Sequence, residues 1–224
     1  MLLAVDTSTA QVGLALFDGA QVDAELMWHS RQHHTVELAP ALAELLERTG
    51  IKMTDVQALG VAIGPGSFTS LRVGLAFVKG LSLARRLPVI GIPTLDVIAA
   101  AQPISKLPLA AVLQAGRGRL ALGWYHSSHA EWKSDGGVKV TNVDDLADMI
   151  EHPTIVAGEL NAEERQRLAR KKVNVQLAMP SACVRRPAIL AELAFARWQS
   201  GQVDEVASLA PIYLHVGDGI PDGK

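Results

Sequence analysis

Four polar residues with the potential for chemistry follow the first apolar run of the chain: Asp6, Thr7, Ser8 and Thr9. A carboxylate at a strand end, followed by small hydroxyl residues in a tight turn, can hold a hydrated metal ion. The N–H and O–H groups of the same turn can bind a phosphate. These residue types are also ordinary turn formers that hydrogen-bond to their own backbone. The segment by itself leaves both interpretations open, a phosphate and metal site or a structural turn.

A second candidate segment begins with Gly64, Pro65 and Gly66 and continues through Ser67 to Arg72. Glycines permit the close approach of another group, and the N-terminus of a following helix offers free N–H donors. The segment lacks the spacing and the lysine of a phosphate-binding P-loop, and it is not the dinucleotide fingerprint. We therefore predict a structural turn from strand to helix, with Ser67 as the helix N-cap.

A metal site is the chemistry that His33, His34 and Glu37 could form. His33 and Glu37 lie one helical turn apart, so that two histidines and one carboxylate have ligand chemistry. No other segment supplies the remaining ligands, and the His-Glu-x-x-His arrangement of zinc peptidases is missing. We predict a solvated helix start and no metal site.

The single cysteine, Cys183, excludes an internal disulfide and a cysteine-based zinc site. Two arginines, Arg185 and Arg186, are close in sequence, but no base that would activate a nucleophile is evident. A local basic cluster is balanced by nearby glutamates and predicts a solvated helix face. Its members are Arg165, Arg167, Arg170, Lys171 and Lys172.

The elements that must position these residues follow from the hydrophobic pattern. Within the first hundred residues the apolar runs and turn signals predict the order βββαβαβα. A meander followed by two crossovers indicates a mixed sheet with helices on its faces. The predicted strands are residues 2–5, 12–17, 21–29, 58–63 and 89–91, and the predicted helices are 33–48, 67–86 and 94–101.

The segment from Gln102 to Pro108 predicts a joint between two lobes, residues 1–102 and residues 103–224. Signals in the second lobe are weaker. They predict strands at residues 109–113, 120–125 and 154–156, helices at 143–150, 163–172 and 189–198, and a frayed tail at 218–224.

The helix predicted for residues 67–86 is apolar on two sides. One stripe is Leu71, Leu75 and Val78, and a second one, of Val73, Phe77 and Leu81, lies about 200° away. A helix of this kind must be covered on all sides, and one sheet covers only one of them. The other side is left either for a neighbouring helix, which makes the helix fully internal in a monomer, or for another chain. For the second case we predict that the first stripe, with the leucine stripe of the helix at residues 33–48, forms a partner interface. Its residues are Leu38, Leu42, Leu45, Leu71, Leu75 and Val78.

The composition and the net charge of the chain exclude several classes of function. The chain has 224 residues, 49% of them hydrophobic, and a net charge of −2, which is typical of a globular α/β protein with a large core. A general nucleic-acid or anionic-membrane binder usually carries a positive excess. The start of the chain lacks the basic region of a signal peptide, and the longest uncharged stretch is too short to span a membrane. We expect a cytoplasmic protein.

Three segments together resemble the TsaB (YeaZ) family of bacterial tRNA threonylcarbamoyladenosine biosynthesis proteins, which have also been classed as glycoprotease-like. They are residues 3–9, beginning Leu3-Ala4-Val5-Asp6, residues 64–74, and Gly91-Ile92-Pro93-Thr94-Leu95. The resemblance is most specific through the first hundred residues. It implies an actin-like ATPase fold of two ribonuclease-H-like lobes, of which the second is reduced.

The resemblance also implies a role. The family protein is a non-catalytic scaffold that pairs with the larger TsaD subunit through a helical bundle, a surface also used for homodimers. With the ATPase TsaE, the pair transfers threonylcarbamoyl to the adenosine beside the anticodon of tRNAs that read codons starting with A. The charge balance of the chain indicates that TsaD supplies most of the tRNA contact, so we expect this chain to contact tRNA indirectly. ATP or ADP with Mg is then held by the partner, and at most weakly by this chain.

Two departures from the family pattern accompany the resemblance. Gln114-Ala115-Gly116-Arg117 stands where the family carries Asp-Ala-Arg, and His215 stands where an arginine is usual. No second phosphate turn is evident in the later half. Two alternatives remain: a small actin-like ATPase or phosphotransferase using Asp6 as metal ligand, and the peptidase that the family label suggests.

Overall fold

The apolar runs of the chain form two mixed β-sheets, one in each half of the sequence. A computed structural model describes residues 1–30, 34–171 and 173–214. The elements of the first half are β1 (Leu2–Asp6), β2 (Gln11–Phe17), β3 (Val22–His29), α1 (His34–Thr49), β4 (Ala58–Ala62), α2 (Phe68–Arg85), β5 (Val89–Ile92) and α3 (Thr94–Ala100). The predicted order βββαβαβα is confirmed.

The first sheet has the strand order β3-β2-β1-β4-β5. Strands β1 to β3 form an antiparallel meander, and β4 and β5 add to β1 in parallel orientation. The parallel additions follow from the sequence, because each of these strands is preceded by a helix that crosses over the sheet. The carboxyl end of β1, with Asp6, therefore lies beside the carboxyl end of β4, with Gly64 just beyond it.

The second half forms a second sheet of order β11-β10-β6-β7-β8, with β9 also paired to β7. Its elements are β6 (Leu109–Gln114), β7 (Leu120–Ser128), β8 (Glu131–Ser134), β9 (Lys139–Thr141), α4 (Val143–Met149), β10 (Thr154–Gly158), α5 (Ala162–Ala169), β11 (Val175–Leu177), a 3₁₀ turn (Pro180–Cys183) and α6 (Pro187–Gln199). Strands β8, β9 and β11 were not predicted, because three or four largely polar residues carry little periodicity.

Alternate residues of β1 face opposite helical layers. Leu3 and Val5 are fully buried against α1 and α2, whereas Leu2 and Ala4 are fully buried against α6. Both faces of the first sheet are thus covered, which is why β1 and β4 are continuous apolar runs rather than alternating ones.

The packing of α6 corrects the predicted extent of the second lobe. Helix α6 packs on the first sheet, and the following segment also returns there: Asp204 N donates to Val89 O at 2.9 Å and Ile212 N to Ile63 O at 2.7 Å. The second lobe therefore does not hold all of residues 103–224, because the apolar α6 covers the face of the first sheet that α1 and α2 leave open.

The stripe assigned to a partner also needs correction. All six of its residues are at most 6% exposed: Leu38, Leu42, Leu45, Leu71, Leu75 and Val78. All of them except Leu71 belong to the core between α1, α2 and the first sheet. The stripe is the inner face of both helices, because the more continuous apolar side packs on the sheet. The second stripe of α2, Val73, Phe77 and Leu81, is half-buried, and Phe77 and Leu81 pack at the edge of the same core.

Helix α2 begins as predicted. Ser67 is its N-cap and accepts a hydrogen bond from Ser70 N through its side chain, and Arg86 ends the helix in the left-handed conformation. Across the described segments, no helix is long and apolar enough to cross a membrane.

Candidate functional site

The candidate phosphate turn after β1 is closed by hydrogen bonds within the protein. Thr7 Oγ1 donates to Ser70 O at 2.7 Å, and Ser8 Oγ lies 2.9 Å from Thr94 Oγ1. Ser8 N donates to Asp6 Oδ1 at 2.7 Å. All of these side chains are buried. The turn thus joins β1 to the starts of α2 and α3.

The glycines of the turn after β4 allow this contact. A Cβ on Gly66 would lie 2.2 Å from Ser8 O, and Ser67 N donates to that same oxygen at 2.7 Å. Gly64 has a φ of +106°, and its O accepts from Thr94 N at 2.7 Å. The segment of Gly64, Pro65 and Gly66 is the structural turn that its sequence predicts.

The second oxygen of Asp6 binds a buried arginine that comes from the far end of the chain. Arg185 Nε donates to Asp6 Oδ2 at 3.0 Å, and its Nη1 donates to Glu159 Oε1. Arg185 Nη2 donates to Thr9 Oγ1 at 2.8 Å and to Gln11 O at 3.2 Å. Asp6, Thr9, Glu159 and Arg185 are called the interlobe cluster below, because Glu159 follows β10 of the second sheet.

The electrostatics of the cluster hold Arg185 charged. Its side chain is fully buried, and burial by itself would lower the pKa of the guanidinium. The charges of Asp6 and Glu159 more than offset that effect, so the pKa of Arg185 lies above its ordinary value. Within the described residues, every buried side-chain nitrogen or oxygen has a hydrogen-bond partner. The cluster is therefore a satisfied ionic network.

A metal–nucleotide does not fit these residues as they stand. Asp6 has one carboxylate oxygen on Ser8 N and the other on Arg185 Nε. A cation bound at Asp6 would have to displace the guanidinium. Over the part of the chain that the structure describes, no group of three or more His, Cys, Asp and Glu residues is placed to hold a metal ion.

Gln114, one of the two departures from the family pattern, lies beside the cluster. Its Nε2 donates to Glu164 Oε2 at 2.7 Å and to Glu159 O at 3.3 Å. Glu164 and Asn161 in turn form a capping box at the start of α5. The amide of Gln114 therefore steadies the turn that carries Glu159. The other departure, His215, lies outside the described residues.

The remaining candidates have structural partners. His34 Nε2 lies 3.1 Å from Thr9 O, and Trp28 Nε1 donates to Glu37 Oε2 at 2.9 Å. His33 lies outside the described residues. Cys183 is buried, and Arg165, one of the predicted basic cluster, donates to Ala178 O at 2.6 Å. These contacts hold the fold together.

The rest of that basic cluster follows the prediction of a solvated face. Arg167 pairs with Asp144 and Glu163, each at 2.8 Å. Lys171 pairs with Asp148 at 2.9 Å. All three carboxylates are largely exposed, so these pairs contribute little stability. Lys172 lies outside the described residues.

The surface left open by α1 and α2 is apolar and built from small residues. A groove of about 430 Å³ runs between the two helices, with Leu38 and Phe77 among its walls. Leu83 is 77% exposed and Val36 is 66% exposed. We call nine exposed or half-exposed apolar residues of the two helices the outer face: Val36, Ala39, Pro40 and Ala43 of α1, and Val73, Ala76, Phe77, Gly80 and Leu83 of α2.

Sequence reasoning missed Arg185 and Glu159 as site residues. Arg185 stood out only as a neighbour of Cys183, and Glu159 only as a counter-charge to the basic cluster. The one available signal was an arginine two residues before an apolar helix that begins with proline, Pro187, and this does not by itself indicate burial.

Two sheets of this order, with a polar turn after the first strand of the first one, define a two-lobe protein of the actin-like ATPase fold. A ROK hexokinase from Thermus thermophilus has the same fold, with a TM-score of 0.50 over 89% of this chain and 99% of that one, at 12% identity. YeaZ from Pseudomonas aeruginosa is similar at a TM-score of 0.78 and 25% identity, covering 95% of this chain and 99% of that chain.

The chain belongs to the family described as "TsaD: tRNA N6-adenosine threonylcarbamoyltransferase", whose model it matches over residues 29–200. Within that family it is similar to the biosynthesis protein TsaB of Escherichia coli, at 38% identity over 44% of this chain and 42% of that protein. It is also similar to TsaB of a Buchnera aphidicola strain, at 24% identity over 77% of this chain and 87% of that one. The resemblance to the TsaB (YeaZ) family is confirmed.

The matched stretches of the more identical relatives are partial. They span about half or less of the curated proteins, 42% for Escherichia coli TsaB and 54% for the Bacillus subtilis TsaB that is 31% identical. A tRNA N6-adenosine threonylcarbamoyltransferase of Solidesulfovibrio magneticus is 35% identical over 41% of this chain.

Proposed function

We propose that this chain is the non-catalytic scaffold subunit of a tRNA threonylcarbamoyladenosine complex and that it pairs with a TsaD protein through the outer face of α1 and α2. The observation that carries the proposal is the outer face itself. It is apolar and rich in small residues, and it includes Leu83 at 77% exposure. A surface of this kind on a helix pair favours association with another chain.

The family match supports TsaD as the partner. This chain matches a TsaD family model over residues 29–200, a range that includes α1 and α2, so we expect a TsaD protein to have the corresponding pair of helices. Two proteins of one fold can meet through the same face about a pseudo-twofold axis, as identical copies do about a true one. The same face therefore also forms a homodimer when the chain is alone.

Catalysis belongs to the partner in this proposal. The carboxylate that the ATPase alternative needs, Asp6, is bound by Arg185, so ATP or ADP with Mg is held by TsaD. The tRNA is bound mainly by TsaD as well, since this chain has a net charge of −2. TsaE is included as the third member of the complex because the family resemblance implies it. The complex works in the cytoplasm, where its tRNA substrate is.

The test is a binding measurement between this chain and TsaD of the same organism. Glutamate at Ala76 or Leu83 leaves the monomer folded, because both positions are exposed, and buries a charge on pairing. We expect Ala76→Glu and Leu83→Glu to raise the dissociation constant by about 30-fold or more. Val173→Glu, at a position 85% exposed in the second half of the chain, is the matched control and leaves it unchanged.

The functional readout is threonylcarbamoyladenosine in tRNA, measured by mass spectrometry of nucleosides. The wild-type chain forms none by itself and supports formation with TsaD and TsaE, and the two outer-face variants lose that support in parallel with binding. Equal affinity of the Ala76→Glu and wild-type proteins for TsaD would overturn the proposed surface.

A further inference from the structure

The guanidinium of Arg185 lies between the two lobes at the cleft. Asp6, Thr9 and Gln11 approach it from the first sheet, and Glu159 approaches it from the second. Arg185 itself lies on the segment between the 3₁₀ turn and α6, the point where the chain crosses back from one lobe to the other. Each nitrogen of the guanidinium donates to a partner.

We propose that Arg185 is a built-in cation that replaces the metal–nucleotide of the actin-like ATPase cleft and holds the two lobes together without a ligand. An ATPase of this superfamily clamps Mg-nucleotide between its lobes. Here the carboxylate of the first lobe and a carboxylate of the second are bridged by a side chain of the same chain. The proposal does not depend on pairing with TsaD.

The geometry favours a bridging role over incidental burial. The planar guanidinium directs Nε to Asp6, Nη1 to Glu159 and Nη2 to Thr9, so one rigid group fixes three side chains from two lobes. Thr9 Oγ1 completes the network by donating to Glu159 Oε1 at 2.9 Å. A lysine at the same position offers a point charge and no such fork.

The surroundings favour a permanent bridge. The side chains of Asp6 and Arg185 are 2% and 0% exposed, respectively, so neither ion exchanges easily with water. Removing one member of such a network leaves the others charged and buried, which is strongly destabilising. Glu159, at 22% exposure, is the only member of the cluster with substantial access to solvent.

The first experiment removes the charge and measures the coupling of the lobes. Arg185→Met keeps the length of the side chain, and we expect its Tm to fall by about 6 °C or more. Amide hydrogen exchange should become faster at residues 6–11 and 158–161 together. Arg170→Met removes an exposed arginine and is the matched control. An Arg185→Met protein with wild-type Tm and wild-type exchange overturns the proposal.

A milder variant decides the question if Arg185→Met does not fold. Glu159→Gln breaks only the contact from the second lobe, at a residue with access to solvent. Faster exchange at residues 6–11, which lie in the other lobe, supports the bridge. Unchanged exchange there means that Glu159 and Asp6 are not coupled, and the proposal is wrong.

The second experiment tests the replacement of the metal–nucleotide. The wild-type Tm should not change with millimolar Mg²⁺ and ADP, because Arg185 already neutralises Asp6. In Arg185→Ala, methylguanidinium should raise the Tm, whereas methylurea, which is neutral and of the same shape, should not. A Tm increase of the wild-type protein with Mg²⁺ and ADP that Asp6→Asn abolishes would overturn the proposal.

Discussion

Arg185 Nε lies 3.0 Å from Asp6 Oδ2, although 179 residues separate the two in the sequence. The contact exists because α6 returns to cover the first sheet and its preceding segment passes the carboxyl end of β1. It connects the end of β1 to the segment that precedes α6. The carboxylate that looked free for a metal ion is therefore part of the interior.

The buried stripe and the outer face of α2 should respond differently to truncation. Leu75 is buried against the sheet, so Leu75→Ala leaves a cavity and we expect it to lower the free energy of unfolding by about 2–5 kcal/mol. Leu83→Ala, at the outer face, should change it by less than about 0.5 kcal/mol. Urea unfolding followed by circular dichroism measures both. Equal losses would mean that α2 is covered on both sides within the monomer.

Two glycines of α2 form a second matched pair. A Cβ on Gly74 would lie 2.2 Å from Thr7 Oγ1, and Thr7 is held by its hydrogen bond to Ser70 O. We expect Gly74→Ala to cost about 1–3 kcal/mol of stability. Around Gly80, no atom of the described residues outside the nearby helix backbone lies within 4 Å of such a Cβ, so Gly80→Ala should stabilise the monomer by up to about 1 kcal/mol through helix propensity.

Urea unfolding followed by circular dichroism also measures the stability changes of the two glycine variants. Because Gly80 lies on the outer face, Gly80→Ala should also weaken binding to TsaD while it stabilises the free chain. A stable Gly74→Ala protein would contradict the close contact between α2 and the turn after β1.

Tyr125 should make the stability of the protein decrease at alkaline pH. Its phenol donates to Asp96 Oδ1 at 2.7 Å, and burial together with the Asp96 charge raises the pKa of Tyr125 above its ordinary value of 10. Since the unfolded phenol ionises first, stability present below pH 10 is lost as the pH rises above it. Tyr125→Phe should flatten this loss in stability measured between pH 9 and about 11. An unchanged slope would contradict the assignment.

At acidic pH, Asp96 also makes the stability of the protein fall as the pH rises. Desolvation by burial raises the pKa of its carboxyl above 3.8, against the lowering effects of Tyr125 and Arg197. As the pH rises through the interval above 3.8, the unfolded carboxyl ionises while the folded one keeps its proton, so stability falls. Asp96→Asn removes this slope. Denaturant titrations at a series of pH values between 3.5 and about 6 measure it.

The first lobe could be predicted almost entirely because its signals are local. Strands β1, β2 and β4 are unbroken apolar runs, and Ser67 is a standard cap at the start of α2. The order of helices and strands then restricts the sheet to few topologies. In the second lobe, β8 and β9 are short and partly solvated, so no apolar run in the sequence predicts them.

The sequence predicted where the candidate site lies, but it did not predict the contacts that its residues make. Residues 6–9 are a polar turn beside the Gly64–Gly66 turn, as their types require. Which face of α2 is buried was predicted wrongly, since two apolar stripes on one helix do not say which of them meets the sheet. That choice depends on how the whole helix packs across β1 and β4.

The amino-acid sequence by itself determined the family, the first sheet and the turn that holds Asp6, because short-range patterns encode each of them. Only the tertiary structure decided that Arg185 neutralises Asp6, that α6 belongs to the first sheet and that the outer face of α1 and α2 is left open. These three depend on contacts between distant parts of the chain, and the energies that select them arise only when both lobes are packed.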